Sequence, residues 1–321
     1  MKYLVTGGAG YIGSHMVNYL KKNNAEITII DNLSTGHLYN INECEFINID
    51  LRDKDRLLKK LDKRKFDGVF HFAGKSIVSD SIKNPDYYYD NNIQGTKNLI
   101  DLIIKNDLNN LIFSSSAAVY GLPQKKIIDE QHKKNPINPY GKSKFEAENI
   151  IKAASLDYNL NTTSLRYFNA CGADPSGIYG EEHSCETHLI PNILISVLKK
   201  DMELSIYGNN FPTKDGTCIR DYVHVNDIVE AHYLAINNFN KKTINDNFNI
   251  GLGQGFSVLD IVNACSEVTS KKIKFTYKEK REGDPPTLIA DNKKIKDVLK
   301  WNPKYTSIKE IVKTAWDWHS K

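Results

Sequence analysis

YLVTGGAGYIGSHMVNYLKK, residues Tyr3–Lys22, decides the fold of this 321-residue chain. Tyr3–Thr6 is a short apolar run that reads as a buried strand. Gly7, Gly8, Gly10 and Gly13 follow directly, and Tyr11–Lys22 then carries a helical pattern. Gly8, Gly10 and Gly13 satisfy G-x-G-x-x-G, overlapped by a second spacing from Gly7. Such glycines permit a tight turn, let backbone N–H groups approach a pyrophosphate, and let the helix lie close to the strand. The helix N-terminus then turns its positive dipole end toward the anion. With a strand before it and a helix after it, a weak motif becomes a dinucleotide site.

Working outward, a second strand ends in Asp31, about where an acid meets the ribose hydroxyls. A carboxylate there accepts from a 2′-OH and repels a 2′-phosphate, so the expected cofactor is NAD. Asp50 closes a third strand and suits the adenine edge; a helix N-cap is the alternative reading. Phe72, Ala73 and Gly74 close a fourth, where small residues let a cofactor lie close.

The first half alternates strands (Tyr3–Thr6, Ile27–Asp31, Glu45–Ile49, Gly68–Phe72, Leu111–Ser115) with helical stretches such as Tyr11–Lys22 and Asn92–Lys105. This alternation predicts an α/β fold of Rossmann type, a doubly wound parallel sheet with helices on both faces. Beyond about Arg166 the elements shorten and Gly, Pro and Asn become frequent. Residues 1–168 therefore read as the NAD-binding domain and 169–321 as a smaller substrate domain, with a segment near 221–247 returning to the first. Ile308–His319 is an amphipathic helix.

Composition narrows the function. Basic residues number 43 and acidic ones 39, a net charge of +4. The run Arg52–Lys65 mixes both signs and reads as a solvated helix face, so no nucleic-acid partner is expected. No apolar run approaches the ~18 residues of a membrane span, and the N-terminus lacks the apolar core of a leader. The five cysteines (Cys44, Cys171, Cys185, Cys218, Cys265) form no CxxC. Free thiols fit a reducing, cytoplasmic setting. There is no HExxH and no evident ligand spacing among the histidines, so no metal is expected, and His224 and His232 read as structural.

The fifth strand leads into Ser114-Ser115-Ser116, and NPYGKSK, Asn138–Lys144, opens a helical stretch over Gly141–Asp157. Tyr140 and Lys144, spaced i, i+4, share one helix face. A free phenol has a pKa of about 10; a nearby ammonium and the cationic ring of oxidised nicotinamide would both lower it. Tyr140 thus reads as an acid/base activated by Lys144, with Ser116 hydrogen-bonding the reacting hydroxyl.

These blocks resemble the extended short-chain dehydrogenase/reductase family. DNLSTG (Asp31–Gly36), HFAG (His71–Gly74), YYDNN (Tyr88–Asn92), SSSAAVYG (Ser114–Gly121), LRYFNACGADPSG (Leu165–Gly177), DGTCIRDYVHV (Asp215–Val225) and REGDPP (Arg281–Pro286) narrow the likeness to its UDP-glucose 4-epimerases, over essentially the whole chain. The resemblance implies redox-neutral inversion at C4 of a UDP-hexose, with tightly held NAD and a transient 4-keto sugar. It implies Tyr140 as base, Lys144 as its partner and Ser116 beside them. It places NAD against Gly7, Gly10, Tyr11, Ile12, Gly13, Asp31, Asn32, Leu33, Ser34, Asp50, Leu51, Phe72, Ala73, Gly74, Asn91, Ser114, Tyr140, Lys144 and Phe168. The UDP-sugar would meet Ser116, Tyr140, Asn169, His188, Leu189, Ser205, Tyr207, Arg220, Arg281, Asp284 and Leu288. Arg220 and Arg281 would grip the diphosphate; an ion pair of Arg220 with Asp221 or another acid is the alternative. The family also implies a homodimer through helices beginning near Tyr88 and Tyr140, although the apolar positions of Asn92–Lys105 suit packing on the sheet equally well.

Departures from the pattern sharpen the reading. Ser76 stands where family members often carry a lysine two residues after FAG, and Lys75 precedes it. His188 replaces an asparagine found in some members. Leu288 replaces a bulky tyrosine, so N-acetylated UDP-sugars are an open possibility. A 4,6-dehydratase needs an acidic pair after the serine strand, where this chain has Ala117-Ala118. A decarboxylase would need extra cations for a carboxylate. A simple reductase would not explain the UDP-type blocks. A non-catalytic binding protein would not need both Tyr140 and Lys144.

Overall fold

Each end of the helix that carries Tyr140 is set by local chemistry. Pro139 occupies its first turn, the Asn138 side chain accepts from the Gly141 N–H at 2.8 Å, and Asn159 closes it in the left-handed region at φ 54°. The whole element runs Pro139–Tyr158, two residues longer at its start than the pattern predicts.

The computed structural model describes the chain apart from residues 42, 184, 185, 200–202, 240–244 and 282. Cys185, part of the returning segment 221–247 and Glu282 of the REGDPP block therefore lie outside the described residues. The elements run β1 (Lys2–Thr6), α1 (Tyr11–Lys22), β2 (Glu26–Asp31), β3 (Glu45–Asn48), α2 (Lys54–Lys60), β4 (Gly68–His71), α3 (Val78–Lys83), α4 (Pro85–Tyr89), α5 (Gly95–Lys105), β5 (Asn110–Ser116), β6 (Ile127–Ile128), α6 (Pro139–Tyr158) and β7 (Asn161–Tyr167). Then follow β8 (Asn169–Cys171), α7 (Leu189–Leu198), β9 (Leu204–Tyr207), β10 (Ile219–Arg220), β11 (Tyr222–His224), α8 (Val225–Asn238), β12 (Asn245–Ile250), β13 (Phe256–Ser257), α9 (Val258–Thr269), β14 (Phe275–Lys278), β15 (Thr287–Ala290), α10 (Lys293–Leu299) and α11 (Ile308–His319).

Seven strands form one sheet in the order β12-β7-β5-β4-β1-β2-β3, every pair parallel. Alternate residues of its strands face opposite layers. Val5 and Ile29 join Met16, Val17 and Leu20 of α1 and Ile228 and Ile236 of α8. Leu4 and Ile30 join Leu57 of α2, Leu99 and Ile103 of α5, and Ile151 of α6. This is the doubly wound α/β architecture, with helices on both faces. The chain leaves β1 for β2 on one side and adds β4 on the other, so the carboxyl ends of β1 and β4 border a switch-point crevice. After β11, which pairs with β8 outside the large sheet, α8 packs on α1 and β12 adds an edge strand beside β7. A third core joins Ile190, Ile193 and Leu194 of α7 to Ile261 and Cys265 of α9 and Ile311 and Ala315 of α11. Two small sheets flank it, β13-β10-β15-β6 and β14-β9.

One predicted helix begins differently. Asn92–Lys105 becomes a π-helical turn at Asp90–Gln94 followed by α5. The Thr96 hydroxyl donates to the Asn92 carbonyl at 2.6 Å, and the Asn92 side chain ties to Lys75 and to the Ser143 hydroxyl at 2.8 Å. Groups inserted into the ladder in this way widen a helix locally. No helix among the described residues is long and apolar enough to cross a membrane.

Candidate active site

A cleft of about 1710 Å³ opens at the carboxyl ends of the large sheet and is walled on its far side by β9, β10 and the β14–β15 connection. Drug-sized ligands fill roughly 300–1,000 Å³, so there is room for two such molecules.

The glycine turn forms one end. Gly7 has φ +73°, and a Cβ on it would meet the Ala73 nitrogen at 2.5 Å; a Cβ on Gly13 would meet the Gly7 carbonyl oxygen at 2.0 Å. These two pack backbone on backbone. Gly10 differs, since a Cβ there would have only the Gly7 oxygen at 3.5 Å, so its surface is open to the cleft. Gly10 also precedes α1, and no described side chain caps that helix or adds an acid to its first turn. Uncapped N–H donors beside a bare glycine suit a pyrophosphate. Asp31 lies 9% exposed, its two oxygens fixed by the N–H groups of Ala9 at 3.0 Å and Leu33 at 2.8 Å. Burial raises its pKa while those N–H groups hold it down. The residues present therefore fit a dinucleotide with free ribose hydroxyls.

Gly7, Gly10, Tyr11, Ile12, Gly13, Asp31, Asn32, Ser34, Asp50, Leu51, Phe72, Ala73, Gly74, Asn91, Ser114 and Phe168 all line this cleft. Leu33 does not: its side chain packs against the core, and only its N–H serves the site, through Asp31. Asp50 is not a helix N-cap either. Asp53 caps α2, while Asp50 is clamped by the Arg52 guanidinium and the Asn32 amide, which push its carboxyl far below the ordinary range. Lys75 and Ser76 both reach the cleft, and Lys75 Nζ donates to the Ser34 hydroxyl at 3.0 Å.

At the centre, α6 lays Tyr140 and Lys144 against the end of β5. Lys144 Nζ donates to the Ser114 carbonyl at 3.0 Å and sits 5.0 Å from the Phe113 ring centroid. Burial pushes its ammonium down to about 8. Ser116 hydrogen-bonds the Tyr140 phenol and lowers its pKa, but burial outweighs this and raises it. The expectation was that the Lys144 ammonium and the nicotinamide cation together depress the phenol; in the chain alone burial raises it. The lysine is turned to a backbone carbonyl, and desolvation of Tyr140 dominates.

The far end holds Asn169, His188, Leu189, Ser205, Tyr207, Arg220, Arg281, Asp284 and Leu288, all on the cleft wall. Arg220 donates to the carbonyls of Ile219 and Pro285 and lies 3.4 Å from Asp284. Asp221 is not its partner; that carboxylate is buried on the N–H groups of Leu252, Gly253 and Ala290. Arg281 stacks over the Tyr207 ring at 4.2 Å. Phe168 and Leu288 pack on a small cluster with Val119 and Tyr120.

His188 Nδ1 bonds the buried Glu181, whose charge pushes the imidazole up to about 9. Glu181, His183, Glu186 and His188 place their ligand atoms within 4.8 Å of one another, a proximity not evident from histidine spacing. The group pairs internally: Glu186 takes His183 and the N–H groups of Thr187 and His188. His224 and His232 are buried and bonded to Thr314 and Tyr167, as structural histidines are.

A model of the NAD dependent epimerase/dehydratase family matches residues 3–251. The chain belongs to that family. It is 42% identical to the UDP-glucose 4-epimerase of Halalkalibacterium halodurans over 100% of this chain and 96% of that one. The structure resembles the Brucella ovis UDP-glucose 4-epimerase in complex with NAD, with a TM-score of 0.94, 39% identity and coverage of 98% and 97%. It also resembles the Campylobacter jejuni UDP-Glc/GlcNAc 4-epimerase, with a TM-score of 0.87, 38% identity and 99% of each chain covered.

Within this epimerase/dehydratase frame the motifs miss a second tier of cleft residues. Ile77, Val78 and Ile82 of the α3 region and Glu181 line the wall without any motif to mark them. A signal existed for one other group: Glu148 stands four residues beyond Lys144 on the same face of α6.

Proposed function

We propose that this chain interconverts UDP-glucose and UDP-galactose by inverting C4, with NAD and the UDP-hexose lying end to end in the cleft. The observation that carries this is that Tyr140, Lys144 and Ser116 line the same cleft as the glycine turn, Arg220 and Arg281, with the Tyr140 phenol hydrogen-bonded to Ser116. Residues 1–168 supply the cofactor side, and most of the nucleotide side comes from 169–321.

Gly7, Gly10, Gly13 and the N-terminus of α1 would hold the NAD pyrophosphate, Asp31 the ribose hydroxyls, and Lys144 the nicotinamide end. Bound there, NAD supplies a reversible hydride acceptor at C4 and the positive charge of its oxidised ring. Tyr140 takes the 4-OH proton, with Ser116 hydrogen-bonded at the same oxygen, and later returns it. Lys144 keeps positive charge near the phenolate. Arg220 and Arg281 hold the diphosphate, so binding energy rests on the nucleotide and the sugar is free to present either face. The side chains of Ala117 and Ala118 supply no acid for a dehydratase's elimination.

The test is to incubate purified protein with UDP-galactose and no added NAD. UDP-glucose should form catalytically. A need for stoichiometric added NAD with a keto sugar accumulating would refute epimerisation. Bound NAD with no turnover of any UDP-sugar would favour a binding protein. We extend the substrate range to N-acetylated UDP-sugars, because Leu288 lines the cleft where a larger side chain would narrow it. Failure to turn over UDP-GlcNAc alongside good turnover of UDP-galactose would defeat that extension.

The dimer proposal rests on an exposed apolar strip: Val78 and Ile82 of α3 and Tyr87 of α4, near α6. Leu99 and Ile103 of α5 are instead committed to the core of the single chain. The free thiols Cys44, Cys171, Cys218 and Cys265 suit work in a reducing cytoplasm.

A further inference from the structure

Tyr140, Lys144 and Glu148 recur every four residues along α6, and all three are buried. Each meets the serine end of β5: Tyr140 at the Ser116 hydroxyl, Lys144 at the Ser114 carbonyl, and Glu148 at the Ser115 hydroxyl, which donates to it at 2.5 Å. Behind Glu148 lies Arg166 of β7, paired in register with Ser115 and 1% exposed. Its guanidinium donates twice to the carboxylate, Nε to Oε1 at 2.8 Å and Nη2 to Oε2 at 2.6 Å. Its remaining arm donates to the Tyr120 hydroxyl at 2.9 Å, and Tyr120 donates onward to Asn249 of β12 at 2.7 Å.

We propose that the buried Glu148–Arg166 pair is a positioning device that fixes the register of α6 over the end of β5 and keeps Lys144 charged beside Tyr140. A bidentate guanidinium–carboxylate contact fixes angle as well as distance. It bolts the helix bearing Tyr140 to the strand that runs on into Phe168 and Asn169, and so ties the proton-transfer group to the sugar wall. Among the described residues Glu148 is the counterweight to desolvation of Lys144, raising an ammonium that burial lowers. Around the pair stand Lys134, which faces Glu148 and Arg166, and Glu130, which faces Arg166; nearer Lys144 are His71 on β4, pushed down to about 3, with Tyr88 and Tyr167 beside the Tyr140 phenol. Burial raises both of those phenols. Of these only Glu130 is an acid, and its charge acts on Arg166 and Lys294, so among the described residues Glu148 is the carboxylate that acts on Lys144.

The inference rests on the reading of Tyr140 and Lys144 as the reacting pair, and the experiment separates the two. Glu148→Gln, Glu148→Asp and the double variant Glu148→Leu/Arg166→Met are purified with their NAD, and kcat and KM for UDP-galactose are followed from pH 6 to 10, with Tyr140→Phe as the control. Glu148→Gln should lower kcat about tenfold or more with KM within about threefold, and its basic limb should move to lower pH, because an ammonium without its carboxylate loses its proton sooner. Glu148→Asp should restore most of that limb. If Glu148→Gln does not fold, the double variant, apolar on both sides, gives the same readout. A folded, NAD-loaded variant with the original kcat and basic limb overturns the proposal. So does a lower kcat with an unmoved limb, which marks a merely structural pair. Activity retained in Tyr140→Phe would instead overturn the underlying site reading.

Discussion

Raising the pH from 7 to 9 should switch this active site off while leaving the fold intact. Lys144 is pushed down to about 8 because it is buried beside Phe113, with the Ser114 carbonyl as its hydrogen-bond partner and the Glu148 charge offsetting part of the burial. Its charged fraction is then about nine-tenths at pH 7 and about one-tenth at pH 9. If proton transfer through Tyr140 needs that charge, kcat falls about tenfold over the two units, whereas an ordinary lysine, with a pKa of about 10.4, would lose only a few per cent. The sign for stability runs the other way. A folded pKa below the unfolded value means that the buried charge destabilises the fold below about 8, and the strain is relieved as pH rises toward about 10.4. Lost rate in this window is therefore not unfolding driven by Lys144. The assay is the initial rate of UDP-galactose conversion at saturating substrate, with each sample returned to pH 7 to show full recovery. Because Tyr140 and Lys144 are close, the limb belongs to the pair and not to one residue. Lys144→Arg assigns it: a guanidinium stays charged throughout, so the variant should be slower yet nearly flat in this range. A wild-type kcat constant within about twofold from pH 7 to 9, in protein that recovers fully, would refute the reasoning.

Tyr140→Phe should keep its NAD and lose about 10²–10⁴ in turnover, the usual contribution of a positioned acid/base, measured by single-turnover and steady-state rates on the same preparation. Gly13→Ala should purify without cofactor, since its Cβ would lie 2.0 Å from the Gly7 oxygen in a backbone-to-backbone contact; the check is nucleotide released on denaturation. Arg281→Ala should raise KM for UDP-galactose about 10- to 100-fold with kcat little changed, as expected for a charge-assisted contact of about 1.5–3 kcal/mol made equally in ground and transition states.

The dinucleotide end was legible because its information is local. Gly7 to Gly13 lie within one turn, and the backbone contacts that forbid a Cβ follow from chain geometry over a few residues. Asp31 was legible for a similar reason, since strand length fixes where the acid falls. Leu33 was misread because neighbours in sequence alternate between cleft and core, and its contribution is an N–H that no side-chain pattern reports. Asp50 shows the same limit: its partners Arg52 and Asn32 belong to two different strand ends. The phenol of Tyr140 was expected to be lowered by a lysine four residues away together with the cationic ring of oxidised nicotinamide. Spacing gives proximity, but burial and the competing Ser114 carbonyl decide the balance, and both depend on how α6 seats on β5. Arg166 was hidden most deeply, inside a block quoted for family likeness, with its partner eighteen residues away on another element. What the sequence could not announce is thus one class of fact, the seating of one element on another. Catalysis here depends on that seating, because a phenol that burial makes a poorer acid must be matched to a lysine that burial makes easier to discharge. The two shifts oppose a phenolate beside an ammonium, so the pair depends on the charges placed around it: Glu148, which raises Lys144, and the cationic ring that oxidised NAD would bring beside Tyr140.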